Sequence, residues 1–297
     1  MTSGGQDAAP LRYRGYDQAG LDRAYDQAAW SARMAEIIAW YRAESDQAYR
    51  HLPFQTHSYG PSGSETFDLF PASARERATL VYVHGGAWRL LSKRDSAFAA
   101  PLFHRHDINF IALDFGVIPQ VRLPQMVQQV GRAIAWIARN AEELGIAREE
   151  IHLCGHSSGA HLAAMAAIAD WRGLGLGSMP LASVLCASGC YDLEPVMLSA
   201  RGAYLLLSSD EQHALSPLHY ATCAANRMTI AYGDRESPEF IRQGQAFHRA
   251  IYAAGRRPHC IIAPGLDHFE ISMTLASADG ILASALLAAI YGRAGPA

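Results

Sequence analysis

Short apolar runs rich in β-branched residues alternate with stretches of helical periodicity, and this alternation restricts the fold of the chain more than any other feature. Thr79-Leu80-Val81-Tyr82-Val83, Ile108 to Leu113, Ile151-His152-Leu153-Cys154, Leu181 to Ala187, Met228 to Tyr232 and Cys260-Ile261-Ile262-Ala263 read as strands. Helical stretches run from Asp95 onward, over Val127 to Leu144, Ser158 to Ala169, Pro238 to Ala253 and Ile281 to Tyr291. Strands that are apolar throughout and separated by such helices predict an α/β fold, with a mostly parallel central sheet and helices on both faces. Upstream, Trp30, Met34, Ile37, Ile38 and Tyr41 recur at helical spacing in a stretch that begins at Leu21 and ends near Pro53. Glu65 to Pro71 alternates as a short strand. Residues 1–17 are polar and read as a loose tail, leaving 18–297 as one domain. Asp192 to His219 fits no simple strand–helix unit and reads as a small cap-like insertion over the ligand-binding edge of the sheet.

The composition removes several classes of function. Half of the 297 residues are hydrophobic, 18% are charged, and 25 Lys+Arg against 28 Asp+Glu leave a net charge of −3. That balance excludes a disordered chain and, with no basic block, gives no support to nucleic-acid binding. The longest apolar stretch, Ile281 to Tyr291, falls short of the roughly 18 residues a membrane span needs, and Met1 to Pro10 lacks a signal-peptide pattern. Cys154, Cys186, Cys190, Cys223 and Cys260 are odd in number and scattered, as reduced thiols of a cytoplasmic protein would be. No spaced ligand set implies a metal, and Gly173-Leu174-Gly175-Leu176-Gly177 precedes a strand instead of following one, so it is not a dinucleotide fingerprint. No cofactor is expected.

Chemistry enters at Gly155-His156-Ser157-Ser158-Gly159. This G-x-S-x-G follows an apolar strand and opens an Ala-rich helix, the setting of a nucleophile elbow. Ser157 is the expected nucleophile, held at the positive end of the helix dipole. His84-Gly85-Gly86-Ala87-Trp88 also follows a strand. The amides of Gly85 and Gly86, joined by that of Ser158, are expected to bind an oxyanion. Their order resembles that of α/β-hydrolases, in which an acid and then a His follow the Ser. Asp234 and Glu236 compete for the acid in Gly233-Asp234-Arg235-Glu236-Ser237, and His268 in Leu266-Asp267-His268-Phe269 is the expected base. Trp88, His156 and Phe269 are candidate walls of a substrate pocket.

Taken together, these pieces resemble the arylformamidase (kynurenine formamidase) family of α/β-hydrolases, over nearly the whole chain. The likeness is carried by Tyr13-Arg14-Gly15-Tyr16-Asp17, His84-Gly85-Gly86-Ala87-Trp88, Gly155-His156-Ser157, Tyr191-Asp192-Leu193-Glu194-Pro195, Leu215-Ser216-Pro217, Glu236-Ser237-Pro238-Glu239-Phe240 and Asp267-His268-Phe269. The resemblance implies Glu236 over Asp234 as the acid, a homodimer, and an N-formyl arylamine such as N-formylkynurenine as substrate. A small aryl or short-acyl ester, or another aromatic amide, is the alternative. The sequence departs from the family pattern at Asp26 to Trp30, at Asp114-Phe115-Gly116 and at Ala160, positions expected near the pocket.

Overall fold

Eight strands form one sheet in this computed structural model, which describes residues 10–225 and 227–292. They are β1 (Gln55–Ser58), β2 (Thr66–Phe70), β3 (Arg77–Val83), β4 (Asn109–Leu113), β5 (Ile146–His156), β6 (Leu181–Ala187), β7 (Met228–Gly233) and β8 (His259–Ala263). The spatial order is β1-β2-β4-β3-β5-β6-β7-β8. Antiparallel pairing is confined to β1 with β2 and β2 with β4; every later pair is parallel. The six strands read from β-branched apolar runs are those of the parallel portion, because a strand covered on both faces has no polar side to show.

Alternate side chains on β3 feed two separate cores. Val81 and Val83 pack with Val130, Ile134, Leu162 and Phe247 on one face. Leu80 and Tyr82 pack with Ile37, Phe103, Leu282 and Leu286 on the other. Helices Leu123–Arg139, Ser158–Ala167 and Pro238–Ala253 therefore cover the first face, and Met34–His51, Ala100–Arg105 and Ile281–Tyr291 the second. No single helix among the described residues is long and apolar enough to cross a membrane.

The N-terminal region differs from its sequence reading. The stretch expected to be helical from Leu21 is broken into Gln18–Tyr25, a 3-10 turn at Gln27–Trp30, and Met34–His51. One aspartate caps the start of the first helix and a second marks its end. Asp17 accepts the Gly20 N–H at 2.7 Å, and Asp26 ends the first helix and accepts the Ala28 N–H at 3.1 Å. Of the expected loose tail, residues 1–9 lie outside the described residues, whereas Tyr13 and Tyr16 form a small bridge and pack on the core. Strand β1 was invisible because Gln55-Thr56-His57-Ser58 has no apolar face; Thr56 Oγ1 instead donates to the buried Asp68 carboxylate at 2.6 Å. The helix expected from Asp95 is a 3-10 turn at Lys93–Asp95 followed by Ala100–Arg105.

The insertion after Asp192 contains three short helices, Glu194–Leu198, Gly202–Leu205 and Ser209–Ala214, and a 3-10 segment, Pro217–Cys223. It is fastened to the first helix. Gln18 Nε2 donates to the Leu198 carbonyl at 2.9 Å, and Asp22 Oδ1 accepts the Ala200 N–H at 2.6 Å.

Candidate active site

The turn from β5 into helix Ser158–Ala167 places Ser157 at φ 56° and ψ −123°, a backbone state that side-chain-bearing residues avoid. Its N–H is held by the Ala187 carbonyl at 2.9 Å, which fixes the turn against the end of β6. The two glycines are steric requirements. A Cβ on Gly155 would lie 2.2 Å from the Gly159 oxygen, and one on Gly159 would lie 2.1 Å from the Val83 oxygen. As the first helical residue, Ser158 has no carbonyl one turn back to receive its N–H.

Three side chains meet at this turn. Ser157 Oγ lies 2.9 Å from His268 Nε2, and His268 Nδ1 lies 3.0 Å from Glu236 Oε2. The other oxygen of Glu236 accepts from Ser188 Oγ and from the Gly233 N–H, both at 2.6 Å. All three of Ser157, His268 and Glu236 are buried. Asp234, the competing carboxylate, is exposed, and its Oδ1 accepts the Gly265 N–H at 2.7 Å. It braces the loop before His268 without reaching the imidazole. Burial pushes the Glu236 carboxyl up while its two donors pull the other way, and burial pushes the His268 imidazole down. The base is thus kept neutral and able to accept a proton. Ser188 had no signal in the sequence beyond its place directly after a strand.

The loop after β3 lies against the nucleophile. A Cβ on Gly85 would sit 3.1 Å from Ser157 Cβ, and Gly86 (φ +105°) accepts the Arg89 and Leu90 N–H groups at 3.0 and 2.9 Å in a tight reversal. The amides of Gly85 and Gly86 find no backbone acceptor among the described residues. Ala87, Trp88 and Leu91 all have positive φ, so strain is concentrated in this loop. His84 stabilises it by stacking on Phe115 at 4.3 Å and by donating from Nδ1 to the Gly85 carbonyl at 2.9 Å. The departure at Asp114-Phe115-Gly116 therefore supports the loop from behind and does not line the cavity.

A cavity of about 420 Å³ opens over Ser157 and His268. His156 and Phe269 line it as expected, but Trp88 does not. Its left-handed backbone turns the indole into the core, where it is 1% exposed and donates to His161 Nδ1 at 3.3 Å. The roof comes instead from Met34, Ile38 and Tyr41 of the N-terminal helix, from Asp26, Gln27 and Ala28 of the 3-10 turn, and from Leu90 and Leu91. The departure at Asp26 to Trp30 thus falls on the pocket wall. Arg201, from the insertion, completes it and was missed by reading the sequence. Two bonds tie these parts to the base: Tyr41 Oη donates to the Phe269 carbonyl at 2.6 Å, and His156 Nε2 donates to the His268 carbonyl at 2.7 Å.

A Ser-bearing strand–helix elbow on this sheet order, with an imidazole and a buried carboxylate delivered from the ends of later strands, defines an α/β-hydrolase. Many solved structures share the fold, among them the following two. One, from Silicibacter sp. and assigned provisionally as a thioesterase, superposes at a TM-score of 0.78, with 24% identity and coverage of 90% of this chain and 98% of its own. A thermostable carboxylesterase from a metagenomic library gives a TM-score of 0.68, with 19% identity, 87% and 94%. The BD-FAE family model matches residues 68–173. Kynurenine formamidase of Danio rerio is 28% identical over 282 residues, covering 90% of this chain and 94% of that protein. The Salmo salar kynurenine formamidase is 27% identical over 295 residues, at 93% and 97%. An esterase of Mycobacterium tuberculosis is 29% identical over 266 residues, covering 79% of this chain and 62% of that protein. The chain resembles the kynurenine formamidases over nearly its whole length, and it is a hydrolase acting on an amide or ester bond.

Proposed function

We propose that the chain hydrolyses an N-formyl arylamine, such as N-formylkynurenine, through a formyl-serine intermediate. The observation that carries this reading is the unbroken hydrogen-bond chain from Ser157 through His268 to Glu236, opening into a small, mostly apolar cavity. Ser157 Oγ attacks the formyl carbon while its proton passes to His268 Nε2. Glu236 holds the imidazole by Nδ1 and stabilises its charge. The amides of Gly85, Gly86 and Ser158 hold the oxyanion. Collapse of the tetrahedral adduct breaks the C–N bond, and His268 returns the proton to the departing arylamine. Water, deprotonated by His268, then cleaves the formyl ester and releases formate.

A formyl carbon bears only hydrogen and needs no acyl pocket, so the cavity volume is available to the aryl group. Its walls suit one: Phe269, Tyr41, Ile38 and Met34 give an apolar lining. The same apparatus cleaves esters, and the esterase relatives favour that second reading. The test compares kcat/KM for N-formylkynurenine with that for 4-nitrophenyl acetate. A preference for the formamide, after allowance for the intrinsic reactivity of the ester, is expected; a preference for the ester beyond that allowance removes the formamidase reading.

A further inference from the structure

The cavity over Ser157 adjoins a second hollow of about 480 Å³, and Asp26, Ala87, Leu90 and Arg201 line both. Arg201 stands in the partition between them. Its Nε and Nη2 donate to one oxygen, the Tyr25 carbonyl, at 3.0 and 2.5 Å. Its guanidinium carbon lies 5.6 Å from the centre of the Phe240 ring and 6.0 Å from that of Trp88. It forms no ion pair among the described residues. The contrast is with Arg42, in the same cavity wall, which is neutralised by Asp95 at 2.8 Å. A half-buried guanidinium resting on aromatic rings, with charge uncompensated and donors unused, is built for an anionic partner.

Gln27 supplies an independent sign of a missing partner. The residue is 4% exposed and lines the same cavity. Its amide nitrogen donates to Ser237 Oγ at 3.1 Å and to the Ala24 carbonyl at 3.3 Å, which leaves the amide oxygen buried without a donor. Asp26, adjacent in the chain, spends one carboxylate oxygen on its own turn. Acceptors on Gln27 and Asp26 thus line the same cavity as the Arg201 guanidinium and the nucleophile.

We infer that Arg201 is the specificity-determining residue of this site, binding a carboxylate on the substrate while Gln27 and Asp26 receive an ammonium group carried beside it. The inference rests on Ser157 being the reacting centre. The substrate class is then an aryl amide with an amino-acid tail. A guanidinium fork matches a carboxylate bidentately. A neutral substrate would leave Arg201 and Gln27 unpaired, so selection comes from groups the wrong ligand cannot satisfy.

The test uses the full chain and two matched formamides, N-formylkynurenine and 2-formamidoacetophenone, which share the reacting group and differ in the tail. In Arg201→Gln, where the amide still donates to the Tyr25 carbonyl, the ratio of kcat/KM for the charged over the neutral substrate should fall about 30-fold; in Arg201→Lys it should fall less, roughly 5-fold. A merely structural role would slow both substrates alike, and an unchanged ratio overturns the inference. A second arm does not depend on formamide cleavage. With 4-nitrophenyl acetate as substrate, the ratio of inhibition constants for kynurenine and 2-aminoacetophenone should shift by the same factor. If the formamides are not cleaved, the reaction reading fails, while this inhibition ratio still decides the role of Arg201; no shift overturns it.

Discussion

The floor and the roof of the cavity are made by different physics. The floor is the elbow, the Gly85–Gly86 loop and the base, all fixed to the carboxyl ends of parallel strands of one sheet. Each of its positions is over-determined: Ser157 is held by Ala187, Gly159 abuts the Val83 oxygen, and His268 is gripped through its ring and its carbonyl. The roof is assembled from segments far apart in the chain, residues 26–42, Leu90, Leu91 and Arg201. A floor built on strand ends tolerates little change and sets the chemistry. A roof built from helices and an insertion can vary in shape without disturbing that chemistry, which is how one scaffold serves many substrates.

Substitutions in the floor should therefore abolish turnover or folding, and those in the roof should retune selection. The largest effect is expected from Ser157→Ala, with kcat lowered roughly 10⁴- to 10⁶-fold and an unchanged circular dichroism spectrum; activity near that of the parent would break the assignment. Next is Glu236→Gln, which keeps the shape but removes the charge facing the imidazole, and should lower kcat about 10³- to 10⁴-fold. Asp234→Asn, measured beside it, keeps an acceptor for the Gly265 N–H and should change kcat less than about threefold.

Acid should act on the floor as well. Burial lowers His156 to about 3 and His161 to about 4, so the folded state keeps both neutral where the unfolded chain, near 6.5, protonates them. For such groups the unfolded state binds more protons between the folded and unfolded values, so stability falls as pH falls through that window. Glu236 and His268 shift in opposite senses and offset each other. The two neutral histidines should cost about 4 kcal/mol of stability between pH 7 and pH 5, read as a lower urea midpoint. A midpoint independent of pH over that range would show that these rings are not buried as described.

Gly159→Ala should cost about 3 kcal/mol or more, because the added methyl meets backbone oxygens that cannot move aside; thermal unfolding measures it. The smallest effect belongs to the roof. Ile38→Ala removes part of the aryl wall and should raise KM about tenfold, with kcat held within a factor of three, since roughly 1 to 2 kcal/mol of apolar contact is lost to ground state and transition state alike. A comparable fall in kcat would erase the distinction between floor and roof.

The same division explains what could be read from the amino-acid order. Helix Pro238–Ala253, strand β6 and helix Ile281–Tyr291 match their expected limits because each is bounded by its own signals and buried on an apolar stripe or run. Ser157, His268 and the paired glycines were visible because an elbow, its loop and the base occupy fixed places after strand ends; the residues alone left Asp234 and Glu236 competing for the acid, and only the family resemblance implied Glu236. The roof had no such code. Its break at Asp26 depends on a capping oxygen within a run of otherwise helical spacing, and Trp88 points inward from a backbone of positive φ that the sequence does not announce. Arg201 sits in a segment with no periodicity, and its place beside Ser157 arises from the way Asp22 and Tyr25 hold the insertion. Contacts between distant segments leave no local trace.

Because Ser157 lies mid-chain while its lid comes from residues 26–42 and its proton acceptor from position 268, the reactive centre is finished only when both ends of the polypeptide have come home. A chain still being synthesised, or one clipped ahead of the last strand, already has its elbow sequence but no imidazole to draw a proton from it. Competence for hydrolysis is thereby coupled to completion of the whole molecule.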